Sequence, residues 1–311
     1  MSLGPSPFAR LADWVAPDRR VPYNGGSAGR AARTTLGGEG GTLGLDLSAS
    51  SKGSRRLIVL GSGTSTGVPV IGCECAVCRS DDPHNQRTRS SVLFQFPAGN
   101  LLIDTSPEMR LQLVRERVGL VHAIAYTHHH VDHLFGLDDA RMFPHKLGGP
   151  VPIYCEAEVE ETIRRVFHYA FEPRTKSFPS GGVPQIEFER IGPGVPFEIL
   201  GQTLTPIRLD HGRFKVLGFR VGDLAYCTDV SSIPEESWPF LQGLDVLILD
   251  ALRVEPHPTH FNLEQALGVI DRLKPRQAYL THLSHGFDHR ATGSTLPPGV
   301  ALAYDGLAVD F

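Results

Sequence analysis

The stretch Thr127-His128-His129-His130-Val131-Asp132-His133 sets His128, His130, Asp132 and His133 within six residues. Imidazole nitrogen and carboxylate oxygen are donors that zinc, manganese and iron accept at roughly 2 Å, and the carboxylate makes such a site harder and more tolerant of manganese or iron. A solvated surface cluster could account for one histidine, but not for so dense an H-x-H-x-D-H set. The apolar run Val121 to Tyr126 precedes it and predicts a buried strand. The cluster is then a loop at a strand end, where the backbone can turn several side chains toward one point. Six residues of one loop cannot close two metal sites, so further ligands must come from elsewhere.

A second group of donors lies at Cys73, Cys75 and Cys78. These three of the five cysteines are too close in sequence to pair well with one another, and Cys155 and Cys227 sit in apolar, strand-like runs. Three thiolates aimed at one point suit a soft tetrahedral ion, so a structural zinc is expected, with its fourth ligand far away in sequence. His84 is the one nearby candidate, loosely placed. Other chemistry-bearing residues stand where strands end: Asp104, expected to hold a ligand histidine rather than a metal, then His211, Asp229 and His282. His260 lies in the proline-stiffened loop Pro256-His257-Pro258-Thr259-His260. The turn Gly61 to Gly67 lacks both a Rossmann spacing and a Walker lysine, and reads as a tight turn bringing backbone near the site.

The elements that must position these residues are mostly strands. Leu57–Leu60 opens the folded part, Arg89–Phe96 and Leu101–Asp104 form a hairpin, and Val151–Cys155 follows. Ile186–Arg190, Thr203–Leu209, Val216–Val221, Leu224–Cys227, Leu244–Asp250 and Ala278–Thr281 come next, and Ala301–Tyr304 with Leu307–Asp310 read as a closing hairpin across Asp305-Gly306. Helices are expected over Ser106–Arg117, Asp132–Arg141, Glu158–Tyr169 and Asn262–Leu273, the last with Asn262 as N-cap. Residues 170–184 read as a loop that could cover the site.

At 311 residues and 41% hydrophobic content the chain can bury a sizeable core. Residues 1–56 hold ten glycines and no sustained period, and read as a flexible tail ahead of a domain over 57–311. The tail carries eight Lys/Arg against four Asp/Glu, and the domain 22 against 30, a net charge of −8. That balance argues against broad electrostatic binding to nucleic acid. No apolar run approaches the ~20 residues of a membrane span, and no secretory signal is visible, so a cytoplasmic protein is expected.

The set His128-x-His130-x-Asp132-His133, His211, Asp229 and His282 resembles the five-motif ligand set of the metallo-β-lactamase superfamily of dinuclear hydrolases. The resemblance implies an αββα sandwich, two mixed sheets with helices outside. It implies that His128, His130 and His211 hold one metal, that Asp132, His133 and His282 hold the other, and that Asp229 bridges them. The cysteine knuckle, with Thr281-His282-Leu283-Ser284-His285-Gly286-Phe287-Asp288, resembles more narrowly the PhnP-like cyclic phosphodiesterases, which implies His285 as the fourth zinc ligand.

By the same resemblance the active-site pair is manganese, although zinc would also fit, and the substrate is a small phosphodiester such as a sugar cyclic phosphate. Two cations sharing a water would bring its pKa toward neutrality. His260 would protonate the leaving oxygen, and Asp132 belongs to the same catalytic set. Arg141, Lys146 and Arg253 are cationic candidates for substrate contact, but the sequence does not gather them into a pocket. A homodimer is compatible with the resemblance. The rival readings are a tRNA 3′-end endonuclease and a pyrroloquinoline quinone biosynthesis-like protein. The domain's negative charge opposes the first, and the complete ligand set favours hydrolysis over the second.

Overall fold

The computed structural model describes residues 55–172 and 182–311. Most of the tail and the centre of the 170–184 loop therefore lie outside the described residues. Among the described residues fourteen strands make two seven-stranded sheets. The first takes β1 (Arg56–Gly61), β2 (Ser91–Phe96), β3 (Gly99–Ile103), β4 (Ala123–Ala125), β5 (Val151–Cys155) and β6 (Ile186–Arg190). The second takes β7 (Phe197–Ile199), β8 (Gln202–His211), β9 (Phe214–Val221), β10 (Leu224–Cys227), β11 (Val246–Asp250), β12 (Gln277–Thr281) and β13 (Val300–Leu302). β14 (Ala308–Asp310) returns to the first sheet beside β1. Both sheets mix parallel and antiparallel pairs, as expected of an αββα sandwich.

The helices are α1 (Met109–Arg115), α2 (Val131–Leu134), α3 (Pro144–Leu147), α4 (Ala157–Val166), α5 (Leu263–Leu273) and α6 (His289–Gly293). Three apolar layers hold these elements. Leu57, Phe94 and Ile103 of the first sheet meet Leu217, Tyr226 and Ile248 of the second. On the outer face of the first sheet, Leu60, Leu102 and Ile124 pack on Met109, Leu113 and Ile163. Outside the second, Leu247 and Leu249 pack on Ala266 and Ile270 of α5. Strands with apolar neighbours on both faces read as continuous hydrophobic runs, which is why the central strands were legible. Asn262 caps α5 reciprocally: the Asn262 side chain accepts from the Gln265 amide (2.9 Å), and the Gln265 side chain accepts from the Asn262 amide (3.0 Å).

Three expectations need correction. Strand β1 spans Arg56–Gly61, starting one residue before the expected Leu57. The closing hairpin does not form: β13 pairs with β12, and β14 pairs with β1 in the other sheet. The Tyr304–Leu307 link crosses between sheets because Asp305 is held there by both carboxylate oxygens. Oδ1 accepts from the Ser62 amide (2.9 Å), and Oδ2 accepts from the Thr88 amide (2.9 Å) and hydroxyl (2.6 Å). An alternating apolar pattern is the same for a hairpin and for two edge strands in facing sheets, so only these long-range bonds decide. The expected helix from Asp132 is also shorter, one turn of α2 followed by a 3₁₀ stretch, Phe135–Met142.

Candidate metal centre

The His and Asp donors of the proposed pair of sites, with Asp104, lie at or just beyond strand ends. Asp104 follows β3, Thr127–His133 follow β4, His211 ends β8, Asp229 follows β10, and His282 follows β12. The ligand atoms of His128, His130, His211 and Asp229 lie within 4.8 Å of one another, as do those of Asp132, His133, Asp229 and His282. Asp229 is common to both groups. Its Oδ2 stands 3.4 Å from His133 Nε2, 3.8 Å from His128 Nε2 and 3.9 Å from His211 Nε2, while Oδ1 stands 3.1 Å from His282 Nε2. His129, between two of these residues, turns its ring toward Phe214 instead.

Hydrogen bonds behind the rings settle which nitrogen faces inward. Thr127 Oγ1 donates to Asp104 Oδ2 (2.7 Å) and so accepts from His128 Nδ1 (2.9 Å). His133 Nδ1 donates to the same Asp104 oxygen (2.7 Å), and His211 Nδ1 donates to the Thr259 carbonyl (2.6 Å). Each bond puts the ring proton on Nδ1 and leaves the Nε2 lone pair for a cation. Two backbone positions carry strain: Asp104 (φ 62°) and His282 (φ 58°) adopt left-handed backbone, which costs a non-glycine residue on the order of 1–3 kcal/mol and clusters at functional sites.

The chemistry of the donor set fits a pair of divalent cations. His128 Nε2, His133 Nε2, His282 Nε2 and Asp132 Oδ2 are buried with no hydrogen-bond partner, an arrangement that is expensive unless something positive satisfies them. Burial drives His128 and His282 below the ordinary imidazole range, keeping them neutral donors. Burial also opposes charge on His133, yet Asp229, Asp132 and Asp104 raise its proton affinity well above normal. A pocket that draws a proton so strongly into a dry interior favours any cation.

His260 lies beside this centre without joining either group. Its ring centroid is 4.6 Å from that of His211 and 4.7 Å from that of His282, and Nδ1 donates to Asp250 Oδ2 (2.8 Å). Burial works against its charge, but Asp250 outweighs burial and raises its pKa to about 9. Sequence reasoning gave Asp250 no part. The signal was available, since Asp250 closes a buried strand as Asp104 nearly closes another.

The knuckle converges as well. Cys73, Cys75 and Cys78 place their sulfurs 3.3, 3.4 and 3.5 Å from His285 Nδ1. A tetrahedral zinc with bonds of roughly 2.3 Å to sulfur and 2.0 Å to nitrogen has S···N edges of about 3.5 Å. His84 is elsewhere, bonded to Asp82 (3.0 Å) and stacked on His289. Buried Arg87, also unforeseen, donates to the carbonyls of Ser284 (3.0 Å) and Phe287 (2.7 Å) and so fixes the loop bearing His285. Of the three cationic candidates, Arg141 is paired with Asp138 and Lys146 donates to the Gly119 carbonyl (2.8 Å). Arg253 makes no ion pair among the described residues; its Nε and Nη2 donate to the carbonyls of Glu255 (3.2 Å) and Pro256 (2.7 Å).

Residues 99–283 match the family model described as a beta-lactamase superfamily domain. A solved structure described as a new diphosphatase from the PhnP family is 44% identical, with a TM-score of 0.77 over 83% of this chain and 97% of its own. Zinc-bound PqqB from Methylobacterium extorquens, 21% identical with a TM-score of 0.66 over 82% of this chain and 100% of its own, shares the fold. An octanoyltransferase of Porphyromonas gingivalis is 39% identical over 256 residues, 81% of this chain and 51% of that protein. The chain spans about half the length of the curated relatives it matches. Among the described residues no helix is long and apolar enough to cross a membrane.

Proposed function

The chain belongs to the metallo-β-lactamase superfamily and within it to the PhnP family, and from that premise we propose that it is a metal-dependent phosphodiesterase acting on a small, cyclic sugar phosphodiester. The observation that carries this reading is the sharing of Asp229 between two buried donor groups. His128, His130 and His211 would hold one divalent cation, Asp132, His133 and His282 the other, and Asp229 would contact both. Cys73, Cys75, Cys78 and His285 would hold a structural zinc. Manganese at the pair is the favoured assignment. When bound, such a pair acidifies water to give a nucleophile near neutral pH and neutralises charge gathering on phosphoryl oxygens.

The chain's own residues do the rest. Asp104 and Thr127 keep His128 and His133 in the donor tautomer, so no reorganisation is needed as charge develops. His260 is a proton donor: Asp250 holds its Nδ1–H and stabilises the imidazolium, leaving Nε2 for the departing alkoxide, which is a poor leaving group unless protonated. The acidic domain and the dense small site favour a small molecule over nucleic acid as the partner.

One observation favours a second reading. The 44% identical structure is described as a diphosphatase, so the scissile bond could be a phosphoanhydride. The octanoyltransferase name belongs to a protein of which nearly half lies outside the match, so it does not assign acyl transfer to the part shared here. The test is metal analysis of the purified protein with hydrolysis of cyclic diesters, linear diesters and diphosphates compared. The expected result is two active-site cations beyond one thiolate-bound zinc, with cyclic diesters cleaved fastest. Fewer than two cations beyond the zinc would overturn the dinuclear reading, and preference for the diphosphates would select the second.

A further inference from the structure

The histidines of the metal centre are not all held alike. His128, His133 and His211 each donate at Nδ1 to a fixed oxygen, whereas His130 has no hydrogen bond at either ring nitrogen among the described residues. His282 shares that lack but is fully buried, while His130 is the one half-buried member of its donor group. A ring that nothing locks from behind presents Nε2 to a cation only if packing fixes its rotamer. Around His130 that packing is aromatic. Its ring centroid lies 4.5 Å from that of His128, 5.1 Å from that of His211 and 5.1 Å from that of Phe214. Of these neighbours Phe214 alone brings no donor atom.

Phe214 is placed by a hairpin. β8 and β9 are joined by Gly212 and Arg213 alone, which sets His211 and Phe214 directly opposite each other. Gly212 supplies a positive φ (60°) at the first position of that connection. A Cβ there would lie 2.7 Å from Thr259 Cγ2, so the tip packs against the residue whose carbonyl holds His211. The Gly212 amide donates to Ser231 Oγ (2.8 Å), and farther along β9 the Leu217 amide donates to the Thr127 carbonyl (2.9 Å). The Phe214 ring therefore stands on a braced element. It meets the His130 ring at an interplanar angle of 85°, the edge-to-face arrangement that aromatic pairs prefer. Arg213 adds a cation over the ring, its guanidinium carbon 5.0 Å from the Phe214 centroid.

We propose that Phe214 is a positioning residue for the metal centre, its ring supplying to His130 the constraint that a hydrogen bond supplies to His128 and His211. Among the described residues its histidine contacts are His129, His130 and His211, none of them in the group of Asp132, His133 and His282. Phe214 thus sets the affinity for one cation of the pair and leaves the other alone. The proposal rests on the dinuclear reading and deepens it: the cation at His128, His130 and His211 is the more readily exchanged of the two.

The test is calorimetric titration with manganese of the full-length chain, its thiolate-bound zinc in place and its His/Asp centre stripped. Electron paramagnetic resonance follows the same titration, because a coupled pair of manganese ions and an isolated ion give different signals. Phe214→Leu should weaken one of the two binding steps by about tenfold or more and leave the other unchanged, so that the isolated-ion signal persists to higher manganese. Phe214→Tyr, which keeps the ring, should bind as wild type does. In a His130→Ala background Phe214→Leu should cost nothing further, since the ring then has no ligand to hold. Equal losses in both backgrounds would mean that Phe214 merely fills space, and would overturn the proposal, as would unchanged affinity in Phe214→Leu. Should that variant not fold, Phe214→Val carries the same comparison with a residue suited to strands. If the wild type takes up only one manganese, the dinuclear reading fails and the brace is judged on that ion. A loss in Phe214→Leu that vanishes without His130 supports it, and an unchanged affinity overturns it.

Discussion

His282 and His285 are three residues apart, yet His282 Nε2 stands 3.1 Å from Asp229 Oδ1 and His285 Nδ1 stands within 3.5 Å of three cysteine sulfurs. One short loop thus serves both groups of donors. His282 has left-handed backbone and no hydrogen bond to either ring nitrogen, so its orientation depends on what holds the loop. The knuckle holds one end and the Leu283 amide, donating to the Ser62 carbonyl (2.9 Å), holds the other. Cys75→Ser should therefore lose the thiolate-bound zinc and also weaken cation binding at the His/Asp centre. Outer contacts of this kind are worth on the order of 10- to 100-fold in affinity. Metal content per chain after dialysis against graded chelator measures both effects, and full retention of the other two cations would sink the coupling.

His260 offers a sharper kinetic discriminant. His260→Ala should cut kcat on alkyl or sugar diesters by ~10² to 10⁴ and much less on aryl diesters, whose leaving group departs without a proton. Asp250→Asn should shift the two substrates in the same sense by a smaller factor, because the ring stays in place while its imidazolium loses a stabilising charge. Equal losses on both substrates would refute the proton-donor role.

The ligand set was readable because its members are dense in one loop and recur at strand ends, two properties that survive in one dimension. The sheets were readable for a related reason: Ile58–Leu60, Leu101–Ile103 and Val246–Leu249 are apolar on both faces. What escaped depends on distance. Asp250 acquires its part only because the chain returns ten residues later to place His260 Nδ1 against it. Arg87 reads as a surface cation until the loop at 284–287 closes over it. Asp305 reads as an ordinary turn residue, whereas its carboxylate routes β14 into the opposite sheet.

Glu160 on α4 gives a pH dependence of stability. Arg190 first, then Arg164, hold its carboxylate below the ordinary range, each through a hydrogen bond of 2.8 Å. A carboxylate whose folded pKa is depressed contributes stability above its unfolded pKa, near 4.3, and loses it as pH falls through the lower folded value. Glu160→Gln should therefore lower the urea midpoint at pH 7, modestly because both arginines are largely exposed. The gap between variant and wild type should close as pH falls below 4. A gap that widens in acid would contradict the assignment.

Gly136 tests the packing that carries the ligand loop. Its amide donates to the Thr105 carbonyl (2.9 Å), and a Cβ built there would lie 2.0 Å from the Ser106 carbonyl oxygen. That oxygen is backbone, so it cannot swing aside. Relief requires the turn after β3 and the segment after α2 to separate. Gly136→Ala should cost on the order of 1–3 kcal/mol, the range for overpacking a closed interior, although alanine is the better helix former. The same separation pulls on Thr105, whose amide donates to the His133 carbonyl (2.7 Å), so cation affinity should fall together with the urea midpoint. A variant as stable as wild type would show that the two segments part freely and that the ligand loop is not braced there.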